Sequence, residues 1–382
     1  MSQSIEILSK LVGFDTVSRN SNLDLVDWVV AYLADLGVEC QTFKSPCGTK
    51  ANMLATIGPN VPGGVVLSGH TDVVPVDDQV WATNPFELRQ KGSRLYGRGS
   101  CDMKGFDAIC LAKVPEMLKA NLKKPIHLAF SYDEEVGLLG AIELAPHMRD
   151  LLPGVKGILV GEPTEMKVVE QHKGIMAVTA TFDGIEAHSS MPYLGVSATV
   201  AANKFMNLLI EMDEEFAAGK DNNSLFLPPH STINIGIVSG GTVTNIIPNK
   251  CVVDVCIRVM PEEDVSAIEA KITSGIDSIR SWMQHQNSDC RATLEIDSNT
   301  YGLRKETEGE AATLCRRYSG DNSENVVSYG TDGGVFQAAG FSVAICGPGS
   351  IDQAHKPDEF IEISQIEACE KFIDLLIADQ AG

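Results

Sequence analysis

The stretch "HLAFSYDEEVG", His127 to Gly137, decides how this chain is read. Mostly apolar strand residues run directly into Asp133, Glu134 and Glu135. Three adjacent carboxylates repel one another and lose hydration if the strand is buried. That placement makes physical sense at the carboxyl end of a strand in a parallel α/β sheet, where sites form, with a cation offsetting the charge. Neighbours in extended chain point in different directions, so Glu135 is placed to ligate a metal while Glu134 faces a bridging water. Asp133 reads as a local loop or capping residue.

Working outward, "MLATIG" (53–58), "GVVLSG" (64–69), "PIHLAFSY" (125–132), "GILVG" (157–161) and "FSVAICG" (341–347) are short apolar runs of strand type. Between them lie helical patterns at about 22–36, closed by Gly37, at 104–118 and at 138–148, with "ISQIEACEKFIDLLIA" as a closing helix. The alternation predicts an α/β fold, a mainly parallel sheet flanked by helices on both faces. The middle of the chain differs. "IMAVTATFDG" alternates from Ile175, a helix follows at about 196–216, and "STINIGIVSGG" and "KCVVDVCIRVM" read as an antiparallel pair. A second helix then leads to "RATLEID". That order is a split βαβ, ferredoxin-like α+β plan. The expected organisation is a discontinuous catalytic domain, 1–174 and 291–382, interrupted by an inserted domain at 175–290.

Five strand ends carry metal-ligand residue types. His70 and Asp72 follow one strand in "GVVLSGHTD", and Asp102 sits in the Gly-containing loop "YGRGSCDMKG". Glu134 and Glu135 end "AFSYDEE", Glu162 ends "ILVGEPT", and His355 lies in "CGPGSIDQAHKPDE" after the last strand. Each alone reads equally well as a hydrogen-bonded histidine, a turn aspartate or an acidic first helical turn. Together they match the needs of two cations about 4 Å apart: a bridging carboxylate, with one imidazole and one carboxylate for each. Zinc accepts such an oxygen and nitrogen set.

Composition limits the alternatives. Acidic residues outnumber basic ones by 51 to 30, a formal charge of −21, which argues against nucleic acid or an anionic membrane as partner. No apolar run approaches the roughly 18 residues of a membrane span, and the N-terminus lacks the pattern of a signal peptide. The ten cysteines lack a close-pair metal pattern and read as reduced thiols in a cytoplasmic protein. No GxGxxG or GxxxxGK[ST] loop supports a nucleotide enzyme.

In order and spacing, "SGHTDVVP", "LYGRGSCDMKG", "DEEVG", "GEPT", "EAHSS", "TNIIPNKCVVDVCIRVMP" and "GPGSIDQAHKPDE" resemble the dinuclear-metal family of acetylornithine deacetylase and succinyl-diaminopimelate desuccinylase. The resemblance covers nearly the whole chain. It implies that His70 and Glu162 bind one divalent ion, Glu135 and His355 the other, with Asp102 bridging and zinc or cobalt as the metal. It implies Asp72 as the carboxylate orienting the His70 imidazole and Glu134 as general base and acid. His188 in "GIEAHSSMP" is expected to stabilise the oxyanion, its alternative being a turn residue. Arg258 is expected to hold a substrate carboxylate, the alternative being an internal ion pair, and Asn245 to contact substrate or stabilise a turn. "YGTDGGVF" (329–336) reads as a loop opening a helix whose free amides receive a carboxylate, with Thr331 and Asp332 as substrate contacts and Asp332 facing a cationic amine. Its double glycine departs from the "CTEAPF" sequence of one branch. The inserted domain is expected to act in dimerisation or as a lid, giving a homodimer. The expected substrate is a small N-acylated amino acid, N2-acetyl-L-ornithine in arginine synthesis, with succinyl-diaminopimelate, another N-acyl amino acid or a dipeptide as rivals. A catalytically silent amino-acid-binding protein is the reading from another class.

Overall fold

The computed structural model describes residues 2–382, which divide into two compact units. Of the described residues, the first comprises those up to 171, 303–325 and 331–382, and the second comprises 172–302 with 326–330. The first is built on an eight-stranded sheet. In spatial order its strands are Cys40–Lys44, Ala51–Ile57, Ile126–Ser131, Val65–His70, Gly157–Pro163 and Val343–Gly347, then Val169–His172 and Asn325–Val327. The four strands from Ile126–Ser131 to Val343–Gly347 run parallel, and antiparallel neighbours flank them. The fold class is therefore the α/β class expected. Every residue of "VVLSGH" and "IHLAFS" is buried, as befits strands covered on both faces.

Helices Gln3–Val12, Leu23–Asp35, Lys104–Lys119, Glu310–Ser319 and Ile363–Ala381 share one apolar core with the sheet. Leu139–Leu151 and Asp332–Ala338 pack on each other and on sheet strands outside that core. The Lys104–Lys119 helix approaches the sheet closely because Gly161 has no side chain. A Cβ there would lie 2.1 Å from the Phe106 ring. Since Lys104 follows Asp102 and Gly161 precedes Glu162, this packing also brings two loops with ligand-type carboxylates together.

The second unit is an antiparallel sheet in the order Thr232–Gly240, Lys250–Val259, Gly174–Asp183, Arg291–Thr300, with helices Ala198–Ala218 and Val265–Gln286. This is the split βαβ plan. Burial alternates strictly along Gly174–Asp183, and the inward residues Met176, Val178, Ala180 and Phe182 pack with Phe205, Leu209, Ile272 and Met283. Ser197 and Asp264 cap the two helices through their side chains. The insert runs from 172 to 302 rather than 175 to 290. Arg291–Thr300 pairs along Gly174–Asp183, so a boundary at 290 would cut through a sheet.

His127 sits in the middle of this buried framework, 4% exposed, with Nδ1 2.9 Å from Thr56 Oγ1. Burial pulls its pKa down to about 4, and a contact with the Gly63 main chain only partly opposes that. The unfolded chain therefore binds a proton near pH 6.5 that the folded one refuses until about pH 4. Stability should be full above pH 6.5 and fall as pH drops through that window, by roughly 3 kcal/mol from this group. Urea titrations at pH 7 and 4.5 check it: His127→Gln should flatten the difference, and an unchanged slope would refute the assignment.

Candidate metal centre

The parallel strands deliver their ligand-type side chains to one end of the sheet. His70 is the last residue of its strand, Glu162 lies in Gly157–Pro163, and Glu134 and Glu135 follow Ile126–Ser131. Asp102 precedes the Lys104–Lys119 helix, and His355 follows Val343–Gly347. His70 Nε2 lies 3.1 Å from Asp102 Oδ1 and 3.7 Å from Glu162 Oε1. His355 Nε2 lies 3.5 Å from Asp102 Oδ2 and 3.0 Å from Glu135 Oε2. The two oxygens of Asp102 thus face different imidazoles. Donor atoms of His70, Asp102 and Glu135 lie within 4.8 Å of one another, as do those of His70, Glu134 and Glu162.

The electrostatics suit a cation. Burial and the neighbouring Glu162 hold Glu134 well above the usual carboxylate range, and burial with Asp102 does the same to Glu162. Burial and Asp102 push Glu135 up to about 7, against the pull of His355. Asp102 is lowered, because its bonds to His355 and His70 outweigh its burial. His355 is raised to about 10 by Asp102 and Glu135. In His70, burial is outweighed by Asp102 and Asp72, and its pKa stands well above the ordinary value. Buried carboxylates crowded beside two imidazoles are stabilised by nearby positive charge, so this donor set fits two divalent ions. The His355 side chain is 55% exposed, whereas His70, Asp102, Glu135 and Glu162 stay below 8%, so the cluster is reached from the His355 side.

Asp72 has more than one task. The acceptor nearest His70 Nδ1 is the Asp72 main-chain carbonyl at 2.9 Å, with carboxylate Oδ1 at 3.6 Å. That carboxylate also accepts the amides of Glu134 and Glu135 at 3.0 and 3.3 Å and the Ser18 hydroxyl at 2.7 Å. It therefore aims the acidic pair as well as the imidazole. Asp133 turns away from the cluster to pair with Lys50, with a left-handed φ of 52°.

The remaining candidates divide. Asp332 lies in the first unit, 2% exposed; Ser131 Oγ donates to its Oδ2 at 2.6 Å, and its Oδ1 has no partner among the described residues. Burial pushes it up to about 7, and its charge is felt at Glu134 and Glu162. Thr331 caps the Asp332–Ala338 helix by accepting the Gly333 amide at 3.0 Å, and its carbonyl takes the Gly334 amide. The amides expected to be free for a carboxylate are therefore committed to the cap. His188, Asn245 and Arg258 belong to the second unit. His188 pairs with Ile246 in a short ribbon, so His188 and Asn245 lie together, and both are exposed. His188 Nδ1 is 2.7 Å from Ser190 Oγ. Arg258 is half-buried, and its Nη1 has no partner among the described residues.

Residues 66–379 match the family model described as Peptidase family M20/M25/M40, more than four-fifths of the chain. The chain belongs to peptidase family M20/M25/M40. Members of this family are metal-dependent hydrolases, in keeping with the donor cluster. An acetylornithine deacetylase of Photorhabdus laumondii is 30% identical over 382 residues, covering 98% of this chain and 96% of that protein. Among solved structures, an M20 family metallo-carboxypeptidase of Sulfolobus solfataricus shares the fold with a TM-score of 0.79 at 17% identity, over 100% of both chains. A tripeptidase of Staphylococcus aureus does so with 0.75 at 20%, over 99% of this chain and 98% of that one. Proteins of this fold thus carry several substrate preferences.

Sequence reasoning missed the partners around the site: Ser18 on Asp72, Glu359 with Arg98 on the Asp102 loop, Ser131 on Asp332 and Lys50 on Asp133. Only "YGRG" held a signal, an arginine between two glycines that turns out 1% exposed.

Proposed function

We propose that this M20 protein hydrolyses N2-acetyl-L-ornithine to L-ornithine and acetate, a step of arginine synthesis. The observation that carries the hydrolytic chemistry is Glu134, 9% exposed, beside the His70 and Glu162 donors. Likeness to acetylornithine deacetylases over nearly the full chain supports the substrate. His70 and Glu162 would hold one divalent ion, Glu135 and His355 the other, with Asp102 between them; zinc and cobalt both suit the donors. When bound, the ions supply the charge that acidifies water and polarises the acyl carbonyl. Glu134 takes the proton of the attacking water and returns it to the departing α-amine. The buried walls keep the carboxylate dry, which raises its basicity toward that proton.

His188 is the proposed donor to the oxyanion, and Arg258, whose Nη1 has no partner among the described residues, the proposed partner of the substrate carboxylate. Asn245 is a proposed polar contact, Thr331 being buried and taken up by the helix cap, and Asp332 is the proposed counter-charge for the side-chain ammonium through an Oδ1 with no partner among the described residues. Asp332→Asn should raise KM for acetylornithine about tenfold, with kcat moving much less. An unchanged KM removes Asp332 from recognition.

The strand Thr232–Gly240 is an edge with exposed Ile237 and Val238, which suits pairing between two copies in a homodimer. Ten free cysteines suit the cytoplasm. No helix is long and apolar enough to cross a membrane among the described residues. Initial rates on acetylornithine, succinyl-diaminopimelate and a simple dipeptide, at defined zinc or cobalt loading, test the substrate. A higher kcat/KM on either rival overturns it, and binding without turnover overturns the enzyme reading.

A further inference from the structure

We propose that Glu359 is a positioning residue that locks the Asp102 loop to the His355 loop and thereby sets the metal position shared by Asp102, Glu135 and His355. Its carboxylate is 1% exposed and has both oxygens occupied. Oε1 accepts the Cys101 amide at 2.8 Å and the Asp102 amide at 3.0 Å. Oε2 accepts Arg98 Nη1 at 2.7 Å and the Gly99 amide at 3.1 Å. One side chain from the far end of the chain thus satisfies three amides of one loop, those of Gly99, Cys101 and Asp102, the last being the bridging ligand itself.

The connection continues to His355. Arg98 Nη1 also donates to the Lys356 carbonyl at 3.3 Å, and Nη2 donates to Gln79 Oε1 at 2.8 Å. Gln79 Nε2 in turn donates to the His355 carbonyl at 3.0 Å, and Trp81 Nε1 fixes the Gln79 oxygen at 3.1 Å. The path from the Asp102 amide to the His355 carbonyl is therefore unbroken: Glu359, Arg98, Gln79. Strand pairing sets its register, since Phe360 lies opposite Tyr96 and the Gly97 amide donates to the Glu359 carbonyl at 3.0 Å.

His355 needs such support. Its φ of 61° is left-handed, and it is the most exposed of the five ligand-type side chains. His70 and Glu162, by contrast, come from adjacent parallel strands of the buried sheet. Both positions share Asp102, but a fault in the Glu359 network should therefore fall more heavily on the one completed by Glu135 and His355 than on the one completed by His70 and Glu162. In Glu359→Gln the shape is kept, but an amide NH2 confronts the Arg98 and Gly99 donors or the Cys101 and Asp102 amides. Two of the four bonds cannot form.

The proposal rests on the ligand assignment above and is independent of the substrate. Metal-free full-length protein is titrated with Co2+ and followed by visible absorption and by thermal melting of the metal-free form. The unsubstituted protein should take up two Co2+ per chain. Glu359→Gln should bind one equivalent about 10–100-fold more weakly and the other with a clearly smaller loss, since Asp102 is shared. Gln79→Ala, which removes only the link nearest His355, should weaken the same equivalent by a smaller factor. Loss of melting temperature with both affinities unchanged would mean a purely structural role and overturn the proposal. Equal weakening of both equivalents would overturn it too. If Glu359→Gln does not fold, Gln79→Ala decides, and an unchanged second equivalent refutes the clamp. Uptake of fewer than two Co2+ by the unsubstituted protein brings down the ligand assignment and the clamp together.

Discussion

Glu134→Gln should lower kcat by about 10²–10⁴-fold while metal content stays at the unsubstituted level. The side chain keeps its length and its place, because Asp72 Oδ1 holds the Glu134 amide at 3.0 Å and that bond is untouched. What the change removes is a carboxylate able to take a proton. His70, Asp102, Glu135, Glu162 and His355 retain their donor atoms, so the ions lose no assigned ligand. Single-turnover rates and elemental analysis on the same preparation separate the two quantities. If metal content fell in step with kcat, Glu134 would be a ligand, and the proton-transfer role would be lost.

Removing the metal should have the other large effect. Asp102, Glu134, Glu135, Glu162 and Asp332 crowd one buried site that offers two imidazoles as basic groups. Without divalent ions, their mutual repulsion and lost hydration fall on the folded state alone, since the unfolded chain solvates each carboxylate separately. Exhaustive chelation should therefore abolish turnover and also lower Tm. An ion present at about a thousand times its Kd stabilises by about 4 kcal/mol at one site, enough for a clear shift. Zinc or cobalt added back should restore both. A chelated protein with full activity and an unmoved Tm would contradict a metal centre among these residues.

Much of this could be read from local sequence. The mostly apolar strands "VVLSGH" and "IHLAFS" mark central positions in a parallel sheet, because burial on both faces leaves no regular polar alternation. The insert was legible for the opposite reason: Gly174–Asp183 alternates residue by residue, as a sheet covered on one face must. Its end was less so. "RATLEID" is legible as the last strand of the split βαβ plan, but a boundary at 290 leaves it outside the insert, and its pairing with Gly174–Asp183 carries the insert through Thr300. Ligand-type residues could be picked out because His70, Glu135 and Glu162 end or follow apolar strands and Asp102 and His355 lie in Gly-containing loops. Their helpers could not. Glu359 looks like one more surface acid in "HKPDE", and Ser18 like one more loop serine in "VSRNS", until the fold surrounds them with donors and acceptors.

The sequence by itself determined the class of fold and which side chains were chemically fit to hold metal, since hydrophobic period and residue type are local properties. The tertiary structure alone decided that Asp102 offers one oxygen to each imidazole, that Asp72 aims two glutamates, that Thr331 is spent on a helix cap, and that Arg98 and Glu359 join two distant loops. Those facts depend on distances between residues up to some 260 positions apart in the chain, which no local pattern encodes.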